Sequence, residues 1–208
     1  MKIGIIGSGH IGGTLTRRLR SLGHDVTVTN SRGPASLTDL AQETGAVAGT
    51  LEQAVQDADL VVVAVPLLVV PELPAPLFDG KIVVDADNYY PQRDGDIAEL
   101  LDRSLTSSRW TADHLKGARV VKTFNNIQAA HLMDRGRPAG AGDRIALPVA
   151  GDDAEAKQLV MQLVDALGFD PVDAGTLDES WRQQPDTPVY GTDRDAEGVR
   201  QGLAEARP

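Results

Sequence analysis

At 208 residues the chain has the length of one domain, enough to bury roughly 70% of the surface its unfolded form exposes. It is 41% hydrophobic and 24% charged but has no cysteine, which excludes disulfides, thiolate nucleophiles and cysteine-held metal clusters. A net charge of −10 argues against nucleic acid or an anionic membrane as a partner.

The first apolar run, Lys2–Gly7, predicts a strand. Ile11, Leu15, Leu19 and Leu22 then recur at helical spacing, and Gly23 stops that helix. Glycines interrupt the N-terminal apolar run too early for a secretory leader. A second strand, Asp25–Thr29, ends in a turn at Arg32, Gly33 and Pro34, after which Ser36 is placed to cap a short helix reaching Glu43. The next helix feeds a strand, Leu60–Val65, whose unbroken apolar character suits a central parallel strand covered on both faces. The apolar run ends at Val70 and contains Pro66, well short of the ~20 residues that span a bilayer. A cytoplasmic protein is the expectation.

Prolines at 71, 74 and 76 break any following helix. Lys81–Asp85 reads as a strand running into a polar loop, followed by a helix near Asp96–Leu105 and a strand at Arg119–Thr123. A helix is predicted over about Asn126–Met133 and a mobile loop over 137–144. Two late strands, 144–151 and 169–175, flank a helix at Asp153–Leu167, and an irregular tail leads to a last helix at Ala196–Ala206. Strands alternating with helices predict the α/β class: a Rossmann-type doubly wound, mainly parallel sheet with helices on both faces. Residues 1–208 read as one nucleotide-binding domain, with the last ~60 residues extending the sheet.

Gly7, Ser8, Gly9, His10, Ile11 and Gly12 fit G-x-G-x-x-G, directly after a strand and at the start of a helix. Gly7 permits the tight turn, Gly9 admits a pyrophosphate and Gly12 lets helix and strand approach. Free N–H groups of His10 and Ile11 would bind the phosphates; the His10 ring reads as a solvent-facing neighbour rather than a base. The four histidines are far apart, so no metal site is expected.

The end of the second strand usually carries an acid that bonds the ribose 2′-hydroxyl of NAD and repels a 2′-phosphate. Here Asn30, Ser31 and Arg32 stand instead. Asn30 removes the repulsion, Ser31 can donate, and Arg32 offers a fork that matches phosphate oxygens. NADP(H) is therefore expected over NAD(H).

Ligands in such sheets bind beyond the carboxyl ends of the strands. Ala64–Pro66, Asp85–Tyr90, Lys122–Gln128 and Asp173–Trp181 should converge there. Asn125 and Asn126 could hold the nicotinamide amide or an acceptor carbonyl, while Tyr89, Tyr90 or Trp181 could cover a flat ring or simply anchor the loop. No acid–base pair is evident, but hydride transfer between stacked rings needs mainly position and exclusion of water.

The segments IGIIGSGHIGGTLTRRLRSLGHDVTVTNSRG, ADLVVVAVP, VVKTFNNIQAAHL and AGTLDESWR resemble the NADPH-dependent coenzyme F420 reductase family over nearly the whole chain. That resemblance implies a Rossmann domain that binds NADP and exchanges hydride with a deazaflavin in an adjoining cleft. It implies Ser31 and Arg32 as ligands of the 2′-phosphate. It also implies Pro66 and the Asn125 region as the nicotinamide floor; Ala64 and Val65, just before Pro66, are further cofactor-binding candidates. Two departures bear on the acceptor and the phosphate: relatives that use the deazaflavin often carry HTI where Asn125–Ile127 read NNI, and a second basic residue is replaced by Ser36 and Thr38. The same KxFN form resembles the reductase domain of six-transmembrane metalloreductases, whose acceptor is a flavin. The large helical domain of related dehydrogenases has no counterpart in the sequence, so a homodimer is expected to complete the cleft. Two other readings remain open, a reductase of a small biosynthetic metabolite and a non-catalytic NADP(H) sensor.

Overall fold

The computed structural model describes residues 1–207. Strand β1 (Lys2–Ile6) lies inside the sheet and pairs in parallel with β2 (Asp25–Thr29) on one side and β4 (Leu60–Val63) on the other. With β3 (Val47–Ala48), β5 (Ile82–Asp85), β6 (Arg119–Lys122), β7 (Ala146–Gly151) and β8 (Asp170–Asp173), the strand order is β3-β2-β1-β4-β5-β6-β7-β8. Only the β6–β7 pair is antiparallel; β8 returns parallel to β7. The late strands thus extend one edge of the sheet.

The period of two along each strand sends neighbours to opposite faces. Leu60 and Val62 join Ile3, Ile5, Val84 and Val121 under Leu15 and Leu19 of α1 (His10–Ser21). Val61 and Val63 join Val83 and Val120 on the other face, under Val55 of α3 (Leu51–Gln56), Phe78 and Leu115. Burial on both sides is why β4 is apolar at every position. α3 presses so close to β1 that a Cβ on Gly4 would lie 1.9 Å from the Ala54 carbonyl oxygen.

Several boundaries differ from the sequence reading for local physical reasons. The strand expected to run to Val65 ends at Val63 because the chain turns there into the cleft. Ser36 does not cap the second helix; its hydroxyl bonds Gly33 and Asn30 within a 3-10 turn, Pro34–Leu37, ahead of α2 (Thr38–Thr44). After a short α4 (Pro91–Asp94), the helix expected at Asp96–Leu105 shrinks to α5 (Ala98–Leu101), broken where Arg103 takes a left-handed φ of 62°. An unforeseen α6 (Ser107–His114) follows, started by the Thr106 hydroxyl accepting from the Arg109 amide at 3.0 Å. The helix predicted from Asn126 begins later, as α7 (Ala129–Asp134), because Asn126 is committed to the Val189 carbonyl. β3 was not foreseen, since two residues carry no periodicity. The loop over 137–144 is anchored at its end by Arg144, which pairs with Asp165 and Asp170 at 2.8 and 2.7 Å. α8 (Ala154–Ala166) and α9 (Ala196–Glu205) lie where expected, and part of the irregular tail is a 3-10 helix, Leu177–Gln183, opened by a Thr176–Glu179 capping box.

Candidate functional site

The carboxyl ends of β1, β4, β5 and β6 open into a cleft of about 530 Å³. The glycine loop forms one wall. Gly7 has φ of +102°, and a Cβ there would sit 2.1 Å from the Ala64 carbonyl oxygen. A Cβ on Gly12 would meet the Gly7 carbonyl oxygen at 1.9 Å, so only hydrogen lets α1 start this close to β1. Gly9 differs: nothing lies within 4 Å of its Cβ position, which faces the cleft. No side chain caps α1 and no acid occupies its first turn, so its leading N–H groups remain available to an anion. Room at Gly9 and uncommitted donors at the helix start suit a pyrophosphate. His10 and Ile11 line the same wall, with His10 exposed.

The turn after β2 is tied to this loop. The Asn30 amide donates to the Ser8 hydroxyl at 2.9 Å, and its carbonyl oxygen accepts from the Arg32 amide at 2.9 Å. Asn30 is thus the organiser of the turn, while Ser31 and Arg32 are exposed and the Arg32 side chain has no hydrogen bond or ion pair among the described residues. A guanidinium held out beside a phosphate loop, with no acid to satisfy it, matches a phosphate monoester.

The floor is made by Ala64–Pro66, Ala86–Asn88 and Asn125. Beneath it lies a cluster that the sequence reading missed. Lys122 and Asp85 are fully buried and meet at 3.4 Å, and Lys122 also donates to the Asp87 carbonyl. Asp87 is 3% exposed; its Oδ1 accepts from the Val65 amide at 2.7 Å, while its Oδ2 is buried with no partner among the described residues. Burial, then the charge of Asp85, pushes the Asp87 carboxyl well above its usual range. The available signal was a charged residue ending each of two apolar strands, VVDAD and VVK.

Phe124, between Lys122 and Asn125, has a left-handed φ of 62° and is fully buried. Such strain in a bulky residue persists only where its surroundings enforce it, and here it delivers Asn125 to the cleft edge. Both N–H groups of the Asn125 amide are already used, on Asn88 Oδ1 at 3.0 Å and the Gln183 carbonyl at 2.8 Å. Asn125 therefore lines the cleft but has no side-chain N–H left for a nicotinamide carbonyl. Asn126, 1% exposed, lies outside the cleft altogether.

Of the aromatic candidates, Tyr89 and Trp181 line a separate cavity of about 420 Å³, and the Tyr89 hydroxyl braces the loop by donating to Gly95 and accepting from Ile97. These two residues do not line the cleft at the strand ends. Tyr90 does line the cleft, together with Arg93 and Tyr190, neither foreseen. The Tyr90 and Tyr190 hydroxyls are hydrogen-bonded to one another, and Arg93 stacks over the Tyr90 ring at 4.9 Å. Burial, and the Tyr90 hydroxyl, raise the Tyr190 pKa, so Tyr190 keeps its proton at neutral pH. A pair of hydroxyls uses one hydrogen between them and leaves the other for a ligand. Among the described residues no cluster of three or more His, Asp or Glu side chains could hold a metal, and no helix is long and apolar enough to cross a membrane.

Sheet, glycine loop and cleft define the class: a Rossmann-type α/β sheet with a cleft at the carboxyl ends of its strands. Residues 2–89 match the family described as NADP oxidoreductase, coenzyme F420-dependent. It is similar to the hypothetical protein SMa0349 of Sinorhizobium meliloti, at 32% identity, with 93% of this chain and 95% of that one covered and a TM-score of 0.80. A candidate F420-dependent NADP-reductase from Arthrobacter is 28% identical, with coverage of 86% and 87% and a TM-score of 0.73. Metalloreductase STEAP3 of Rattus norvegicus is 33% identical over 178 residues, which are 85% of this chain and 34% of that protein. The chain spans less than half the length of two curated relatives that it matches, 48% of one and 34% of the other.

Proposed function

We propose that the cleft binds NADP(H) and brings its nicotinamide against a flat heterocyclic acceptor, a deazaflavin of the coenzyme F420 type or a flavin. One observation carries the choice of cofactor: Arg32, unpaired and exposed, stands where an acid would select NAD, on a turn hydrogen-bonded to the phosphate loop. The leading amides of α1 would hold the pyrophosphate, and Ser31 and Arg32 the 2′-phosphate. Val65 and Pro66 would underlie the nicotinamide. When bound, NADP(H) supplies the ring carbon that gives or takes hydride.

The residues of the chain position and shield; none acts as a nucleophile. The family name supports a deazaflavin as acceptor, and a flavin offers the same kind of flat ring. The free hydroxyl hydrogen of the Tyr90–Tyr190 pair suits a ring carbonyl, which both acceptors have. The test is anaerobic mixing of NADPH and protein with a deazaflavin, FMN or FAD. Loss of the acceptor's visible absorbance is expected with at least one. Binding of NADPH with no bleaching of any would leave a nucleotide-binding protein and overturn the hydride-transfer reading.

A further inference from the structure

We propose that Asp87 is a proton-storing group linked to the redox state of the ligand: it is neutral when the cleft holds reduced nicotinamide and gives its proton to solvent when the oxidised, cationic ring binds. This rests on the assignment of the cleft to NADP(H). The argument is a charge count. Asp85 and Lys122, both fully buried at 3.4 Å, neutralise one another. Asp87 then has no cation of its own. Arg93, the next nearest, forms two hydrogen bonds with the Asp94 carboxylate at 2.9 and 2.8 Å. The cluster is one positive charge short of supporting a second carboxylate, and a buried charge without a partner is strongly disfavoured.

Either a proton or a cationic ligand supplies the missing charge. Asp87 is placed to respond, since its Oδ1 holds the Val65 amide in the floor and its Oδ2 is unpartnered. The groups facing it are Asp85 at the end of β5, Lys122 at the end of β6 and Arg93 on α4. In the empty cleft burial and Asp85 favour the neutral form, which a positive ring beyond Val65 would oppose.

Calorimetric titration of the full chain with NADP+ and with NADPH, in buffers of differing ionisation enthalpy, counts protons released. The 2′-phosphate is common to both ligands and cancels in the difference. NADP+ should release up to one proton more than NADPH, and below the pKa of the empty cleft its affinity should rise by up to tenfold for each unit that pH rises, with NADPH affinity flat. In Asp87→Asn the amide mimics the neutral acid, and the difference should vanish. Equal proton counts in the natural chain, which need no variant, would overturn the proposal, as would a difference that survives in Asp87→Asn. Absence of binding by either nucleotide would instead defeat the cofactor assignment and this inference with it.

Discussion

The three glycines of the phosphate loop should respond to the same substitution in opposite ways. Gly7→Ala places a Cβ 2.1 Å from the Ala64 carbonyl oxygen at φ of +102°. Left-handed strain of ~1–2 kcal/mol and overpacking of ~1–3 kcal/mol sum to about 3.5 kcal/mol at the middle of both ranges. At roughly 2–4 °C per kcal/mol for a chain of this size, Tm should fall by about 7–14 °C. Gly12→Ala, 1.9 Å from the Gly7 carbonyl oxygen, should also fall, though without the conformational term because its φ is helical. Gly9→Ala differs. Its Cβ would meet nothing within 4 Å, and its φ of −70° suits any residue. Its Tm should match the natural chain, while the new methyl occupies the space proposed for the pyrophosphate and weakens NADPH by ~1–3 kcal/mol, about 5- to 150-fold in Kd. Thermal melts and fluorescence titration with NADPH read the two effects separately. A Gly9→Ala protein that melts normally and binds NADPH at full strength would refute the assignment of the loop.

Lys122→Met leaves the buried Asp85 carboxylate without its cation and should cost about 3–5 kcal/mol of stability, read by urea denaturation. Tyr190→Phe removes one hydroxyl of the pair; it should raise the acceptor KM about fivefold, the worth of one hydrogen bond, with NADPH Kd unchanged. A change in NADPH Kd alone would move the acceptor elsewhere. Asp153 is held at about 2, below its ordinary 3.8, by the Arg119 guanidinium and the Ala156 amide. A depressed acid contributes stability above its unfolded pKa and loses it as pH falls toward the folded value. Asp153→Asn should therefore lessen the acid-induced loss of stability between pH 3.8 and about 2, measured by denaturant melts at each pH.

What could be read from the sequence was what is local or periodic. The glycine loop is a contiguous string whose geometry follows from missing side chains, and β4 announces its central place by being apolar throughout. The turn at Asn30–Arg32 was legible because an expected acid is absent. What escaped was set by partners far along the chain. Tyr90 meets Tyr190 across 100 residues, and Asn125 meets Gln183 across 58. Asn125 looked available for a ligand only while Gln183 and Asn88 were out of view. Tyr89 and Tyr90 are adjacent, yet they line different cavities, a choice made by where the loop packs. Asp87 and Lys122 gave only the hint of charge at the ends of two apolar strands.

The claim on which the rest depends is that the Arg32 guanidinium selects the 2′-phosphate of one nicotinamide carrier. Because the side chain is exposed and makes no hydrogen bond or ion pair among the described residues, Arg32→Ala should fold with a stability within ~0.5 kcal/mol of the natural chain. Calorimetry of both proteins with NADPH and NADH is the most direct measurement. Arg32→Ala should weaken NADPH by about 1–3 kcal/mol and leave NADH unchanged. Equal losses for the two carriers, or no preference for NADPH in the natural chain, would contradict the account.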